Sequence, residues 1–106
     1  MRKLKNIHPG EILKEEFLKP MGISVYRLSI ETGLSQTRLS QIMKGNRSIT
    51  AETALKLGKF FNTPPEFRMN LQSRFDIEEA REHYKKEIKS IHSVERVGKA
   101  EYVATV

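Results

Sequence analysis

Apolar residues recur at intervals of three and four along most of the chain, and the strict alternation of a half-buried strand is nearly absent. Pro9 suits the first turn of a helix, with Ile12, Leu13 and Phe17 following at helical spacing and Pro20 and Gly22 closing the segment. Ser24 can cap a second helix that turns Val25, Leu28 and Ile30 inward, and Gly33 supplies the positive φ of a tight turn. Ser35 caps a third helix reaching about Lys44, which Gly45 ends. Thr50 caps a fourth, bearing Ala54, Leu57, Phe60 and Phe61. Thr63, Pro64, Pro65 and Glu66 read as a capping box opening a fifth, bearing Phe67 and Leu71. Asp76 to Glu79 resemble one more helix start, leading into a stripe of Ile77, Tyr84, Ile88 and Ile91. After Ser93 the pattern fails, and Val94, Val97, Tyr102, Val103 and Val106 fit a short strand, a docked extended tail or a mobile end equally well. The fold class is therefore all-α: five helices over residues 1–75, then an additional C-terminal helix and tail over residues 76–106.

One segment stands out from this background. In GLSQTRLSQIMKGNRS (Gly33–Ser48), Leu39, Ile42 and Met43 form an apolar back. At about 100° per residue, Gln36, Thr37, Ser40, Gln41 and Lys44 share an arc of about 140° on the front, with Arg38 on a flank. No acidic residue occurs from Thr32 to Ala51, whereas a helix built only for solubility mixes Glu with Lys. Gln pairs bidentately with adenine, and Ser or Thr can donate to or accept from several base edges. A short helix, a glycine turn and a polar-faced second helix make a helix-turn-helix pattern, with Ser29 as the small residue where the two helices approach. Lys44, Asn46 and Arg47 can reach phosphates just beyond it, joined by backbone amides at the start of the fourth helix.

Charge strengthens this reading. The 106 residues carry a formal +6, but residues 1–75 hold 13 Lys/Arg against 6 Asp/Glu, while residues 76–106 hold 6 against 7. The positive field belongs to the bundle and raises the prior for a polyanionic partner. A chain this long buries roughly 60–68% of its unfolded surface, so a large internal active-site cavity is not expected. The lack of cysteine excludes disulfides and thiolate metal sites. No apolar run is long enough to span a bilayer, and the start of the chain lacks the apolar core of a signal peptide, so a cytoplasmic protein without membrane association is expected.

The stretches HPGEILKEEFLKPMGIS, GLSQTRLSQIMKGNRSITAETALKL and FFNTPPEFRMNLQSRFD together resemble the HigA-type (VapI-like) antitoxins of the Cro/phage-repressor (XRE) helix-turn-helix superfamily. The resemblance spans about His8 to Asp76, and HPGEIL, NRSIT and PEFRMNLQ are its most specific parts. It implies a compact lambda-repressor-like bundle with the reading helix third, a homodimer on a palindromic double-stranded operator, and repression of its own operon. It also implies a partner, a HigB-type ribonuclease toxin that the antitoxin neutralises. Ser35, Gln36, Thr37 and Gln41 match the base-reading positions, and Arg38, Ser40, Lys44, Asn46 and Arg47 match base-adjacent or phosphate positions. Two residues depart from the pattern. Val25 stands where phage repressors often carry a phosphate-clamping Gln, and Arg68 stands where relatives commonly show an aromatic.

Other chemistry finds little footing. His8, His83 and His92 are scattered, and His83 has only Glu79 and Glu87 at helical spacing, so neither metal nor cofactor is expected. Glu11, Glu15 and Glu16 complement a helix start and do not form an acid/base pair, so the chain is not expected to be an enzyme. The phenylalanines at 60, 61, 67 and 75 read as core with some share in a dimer surface. Residues 76–91 read either as a helix packed on its own domain or as an extension for dimerisation or toxin docking. A free-standing repressor without a toxin, and a protein-interaction module that has lost DNA binding, are the alternative functions.

Overall fold

The computed structural model describes residues 5–97 and 101–103. Helices α1 (Pro9–Ile12) and α2 (Lys19–Met21) are joined without a break by a π-helical stretch, Leu13–Leu18, and act as one first helix. Helices α3 (Val25–Thr32), α4 (Gln36–Met43), α5 (Ala51–Phe61), α6 (Pro65–His83) and α7 (Lys85–Lys89) follow. Two three-residue strands, β1 (Glu95–Val97) and β2 (Glu101–Val103), then pair antiparallel with Glu95 opposite Val103. The fold is the all-α bundle that the periodicity demands. The described part of the tail takes the short-strand option, and Val106 lies outside the described residues.

Local chemistry sets most boundaries as expected. Ser24, Ser35 and Thr50 each accept the backbone N–H of the third residue after them, at Arg27, Arg38 and Thr53. Gly22, Gly33 and Gly45 take the left-handed conformation that ends a helix, and Asn62 does the same after α5. The first helix is capped by His8, whose Nδ1 accepts the Gly10 amide at 2.9 Å.

Four expectations need correction. Pro20 does not close the first helix but lies within α2, two residues past the end of the π-helical stretch. Wider turns and prolines both release an i→i−4 bond, and the chain places them together. Ile30 points outward at 63% exposure, because it is about 200° around the helix from the buried Leu28. The capping box at Thr63 does not form. Pro64, held extended by the proline after it, takes the cap position itself, and Phe67 N–H donates to its carbonyl at 3.1 Å. Glu66 is thereby one position too early to reach back. Finally, Asp76 starts no helix: α6 runs through it, and its carboxylate accepts from Gln72 one turn earlier.

The core consists of Leu13, Leu18, Leu28, Leu34, Leu39, Ile42, Ile49, Ala54 and Leu57, to which Phe17, Phe60 and Phe61 add half-buried rings. Each fully buried leucine contributes about 1.5–3 kcal/mol of transfer free energy. A second layer lies between the first helix and α6, where Phe17 meets Phe61 and Phe67 at ring centroid distances of 5.1 and 5.9 Å. Arg68 is fully buried there, its guanidinium carbon 4.4 Å from the centre of the Phe17 ring. Beyond Phe75 the chain leaves the bundle, and Ile77, Tyr84, Ile88, Ile91 and Val94 are exposed. The terminal stripe is thus not packed on its own domain.

Candidate nucleic-acid interface

The site is built on α4, held between the first helix and α3. Leu39 and Ile42 are fully buried on its back, and Met43 is half-buried beside them. The backbone of the first helix seats directly on α4 at Gly10, where a Cβ would fall 1.8 Å from the Ile42 carbonyl oxygen. Any side chain at residue 10 would therefore push the reading helix away.

The front of α4 carries the expected side chains. Gln36, Thr37, Gln41 and Lys44 are exposed, while Ser40 and Arg38 are half-buried at the edges of the face. Ser35 is exposed too, but its hydroxyl already accepts the Arg38 N–H at 3.1 Å as the helix cap. Two bonds close the helix end, from the Gly45 amide to the Ile42 carbonyl at 3.0 Å and from the Asn46 amide to the Gln41 carbonyl at 2.9 Å. This turn brings Asn46 and Arg47 round to the same edge. Arg47 then donates a long hydrogen bond, 3.5 Å, to Gln41 Oε1, joining a candidate phosphate contact to a candidate base reader.

Two positioning groups were not foreseen. Gln72, buried in α6, accepts the Ile49 amide at 2.7 Å and donates to Asp76 at 2.9 Å, pinning the far end of the basic loop. Glu52, in the first turn of α5, accepts from Arg38 Nη1 at 3.1 Å and from Lys56 Nζ at 2.6 Å. Those two cations, Lys56 first, hold the Glu52 carboxyl below the usual carboxylate range. A polar residue amid the apolar spacing of α6 was the one sequence signal for Gln72; Glu52 had none beyond being the first acid after the acid-free stretch.

The departures from the phage-repressor pattern have plain structural correlates. Val25 is half-buried against the core and offers no polar group to a phosphate. Arg68 is in the aromatic layer and away from solvent. Among the described residues no cluster of three or more His, Asp or Glu side chains is arranged to hold a metal. The His83 spacing is broken at Tyr84, between α6 and α7, and the His83 ring packs edge-on against Tyr84 at 4.5 Å.

A buried apolar back, a capped two-turn helix and a polar, acid-free front define a helix-turn-helix DNA-binding protein. In agreement, the helix-turn-helix family model matches residues 14–67. Virulence-associated protein I of Dichelobacter nodosus is 43% identical over 74 residues, covering 70% of this chain and 68% of that protein. A HigA-family addiction-module antidote protein from Coxiella burnetii superposes with a TM-score of 0.79 at 43% identity, over 85% of this chain and 99% of that one. The Pseudomonas aeruginosa antitoxin HigA, solved with the higBA promoter, superposes with a TM-score of 0.78 at 38% identity, over 82% and 96%. The chain belongs to the helix-turn-helix family, in its HigA/VapI-type antitoxin branch. This is a family of DNA-binding regulators and antitoxins, not of enzymes.

Proposed function

We propose that this protein is an autoregulatory antitoxin of the cytoplasm. It binds the double-stranded operator of its own operon as a homodimer, represses that operon and neutralises a HigB-type ribonuclease toxin. The observation that carries DNA reading is the front of α4: Gln36, Thr37 and Gln41 stand exposed over the buried Leu39 and Ile42, with no acidic residue from Thr32 to Ala51. In this reading Ser35, Gln36, Thr37 and Gln41 face base edges, and Arg38, Ser40, Lys44, Asn46 and Arg47 take the base-adjacent and phosphate positions. A two-fold dimer puts two such helices about 34 Å apart, one turn of the duplex.

Residues 76–106 serve as the extension through which the chain pairs with a second copy or docks the toxin. The exposure of Ile77, Tyr84, Ile88 and Ile91 supports this, since large apolar side chains left in water mark an interaction surface. Among the described residues no helix is long and apolar enough to cross a membrane.

The test is binding of the full chain to a duplex from the region upstream of its own gene, against a scrambled duplex, over a series of salt concentrations. Tight, selective and salt-dependent binding is expected. Equal affinity for both duplexes would reduce the helix-turn-helix to a scaffold and overturn the reading. For the toxin, the expected result is co-purification of a small ribonuclease encoded beside this gene and loss of its mRNA cleavage in the complex; full cleavage in the presence of excess antitoxin would overturn that half.

A further inference from the structure

Arg38 lies on the flank of the reading helix, one residue from Thr37, where a freely extended guanidinium would reach any phosphate backbone lying along α4. The structure places it elsewhere. Its Nη1 is 3.1 Å from Glu52 Oε1, and its side chain is only 26% exposed, against 53% for Glu52. The second carboxylate oxygen of Glu52 is bound to Lys56 at 2.6 Å, so one acid engages two cations, Arg38 on α4 and Lys56 on α5. This acid is also the first to appear after the acid-free stretch from Thr32 to Ala51.

From this arrangement we infer that Glu52 sets the strength and the salt dependence of DNA binding. It holds Arg38 and Lys56 back from the phosphates, so that less of the affinity for DNA comes from contacts that ignore sequence. The inference rests on the DNA-reading role proposed for α4 and narrows it, by making Arg38 a restrained cation and not a free phosphate contact. The physics is competition between anions. A cation already paired with a carboxylate releases few counterions when DNA arrives, because it has little charge left to neutralise a phosphate. The carboxylate itself repels the backbone that passes the first turn of α5. Non-specific binding is almost wholly electrostatic, whereas base contacts persist when a phosphate contact is withheld. An acid at this position therefore weakens binding to every sequence by a similar factor and lowers its salt slope. Its pair with Arg38 also bridges α4 and the first turn of α5 across the basic loop, and fixes the side on which Arg38 rests.

The experiment compares the full-length protein with Glu52→Gln, Arg38→Ala and the double variant. Each is titrated with the upstream duplex and with its scrambled counterpart across salt, after circular dichroism has shown equal helix content. Glu52→Gln is expected to bind both duplexes several-fold more tightly at low salt, with the ratio between them little changed, and to show a salt slope steeper by about 0.9 for each released cation. With Arg38→Ala already in place, the same change is expected to steepen the slope far less. An unchanged slope and affinity in Glu52→Gln would overturn the inference. So would an equal gain with and without Arg38, which would assign the effect to the lost charge alone. A purely structural role for Glu52 would move thermal stability and leave the slope as it was. The reading on which the inference rests fails separately, if the unaltered protein shows no preference for the upstream duplex.

Discussion

Gln72 Oε1 accepts the amide of Ile49 at 2.7 Å, a bond between α6 and the loop that follows the reading helix, made across 23 residues of sequence. The loop carries Asn46 and Arg47, and Ile49 is the point at which it re-enters the core, at 3% exposure. Replacing Gln72 by Leu keeps the volume but leaves a buried N–H without a partner, and it also strips Asp76 of its donor. A loss of about 1–3 kcal/mol is expected in urea unfolding. A loss below about 0.5 kcal/mol, the usual range of a neutral surface change, would show that the loop does not depend on this bond.

Much of the fold follows from short-range chemistry and was legible for that reason. Ser24, Ser35 and Thr50 cap where they stand because the N-terminal N–H groups of a helix need acceptors in any tertiary setting. Gly33 and Gly45 end helices because few other residues accept a positive φ. What the sequence concealed depends on partners distant along the chain. Gly10 is required by a carbonyl 32 residues later, at Ile42. Gln72 looked like an ordinary surface glutamine of an amphipathic helix until its partner in the loop was known. Arg68, placed by its charge on any surface, is enclosed by Phe17, Phe61 and Phe67. The helix start assigned to Asp76 failed because acidic residues at a helix terminus and in mid-helix look alike without a breaker before them. Which side of α4 faces out was, by contrast, legible, since a helix only two turns long has its back fixed by Leu39 and Ile42.

Gln36 and Gln41 differ in how free they are. Gln36 stands open, while Gln41 Oε1 already meets Arg47 Nη1 at 3.5 Å. Replacing either with Ala is expected to cost roughly 1–3 kcal/mol on the upstream duplex and little on scrambled DNA. Equal losses on both duplexes, measured by fluorescence anisotropy, would remove these side chains from base reading.

His8 links stability to pH. Burial pushes its imidazole below the ordinary value of 6.5, and the Asp76 carboxylate pulls more weakly in the opposite direction. Its Nδ1 must also stay unprotonated to accept the Gly10 amide. The folded chain therefore binds fewer protons here than the unfolded chain, so stability rises with pH in this window. The contribution is complete above 6.5 and is lost as the pH falls through the lower folded value. His8→Asn keeps an acceptor for the cap without the titration. Melting temperatures of the two proteins from about pH 7 down to about pH 5 should diverge, with the unaltered chain losing more. Parallel curves would exclude His8 as the cause.

Arg68 is a stability cost inside the core. Among the described residues none is a hydrogen-bond partner for its three buried guanidinium nitrogens, and burial lowers its pKa to about 10. Its compensation is the face of Phe17 at 4.4 Å, with Phe61 and Phe67 at 5.3 and 5.4 Å. A desolvated contact of this kind returns about 2 kcal/mol, less than a buried charge without hydrogen bonds usually costs. Arg68→Met, with a flexible apolar chain that can fill the same space, is expected to raise stability by about 1 kcal/mol or more in urea unfolding. A clear loss would show that the aromatic layer is organised around the cation.

Arg47 distinguishes phosphate contact from base reading most cleanly, because it belongs to the loop and not to the α4 face. It is exposed, and its one hydrogen bond among the described residues is the long one to Gln41. A cation so weakly held can neutralise a phosphate without first giving up a carboxylate, unlike Arg38. Arg47→Ala is expected to weaken binding to the upstream and scrambled duplexes by the same factor and to flatten the salt slope by about 0.9. If only the upstream duplex loses affinity, Arg47 acts through Gln41 as a brace for a base contact. If the slope stays unchanged while affinity falls on both, the loss comes from a loosened loop, which Gln72→Leu would then reproduce.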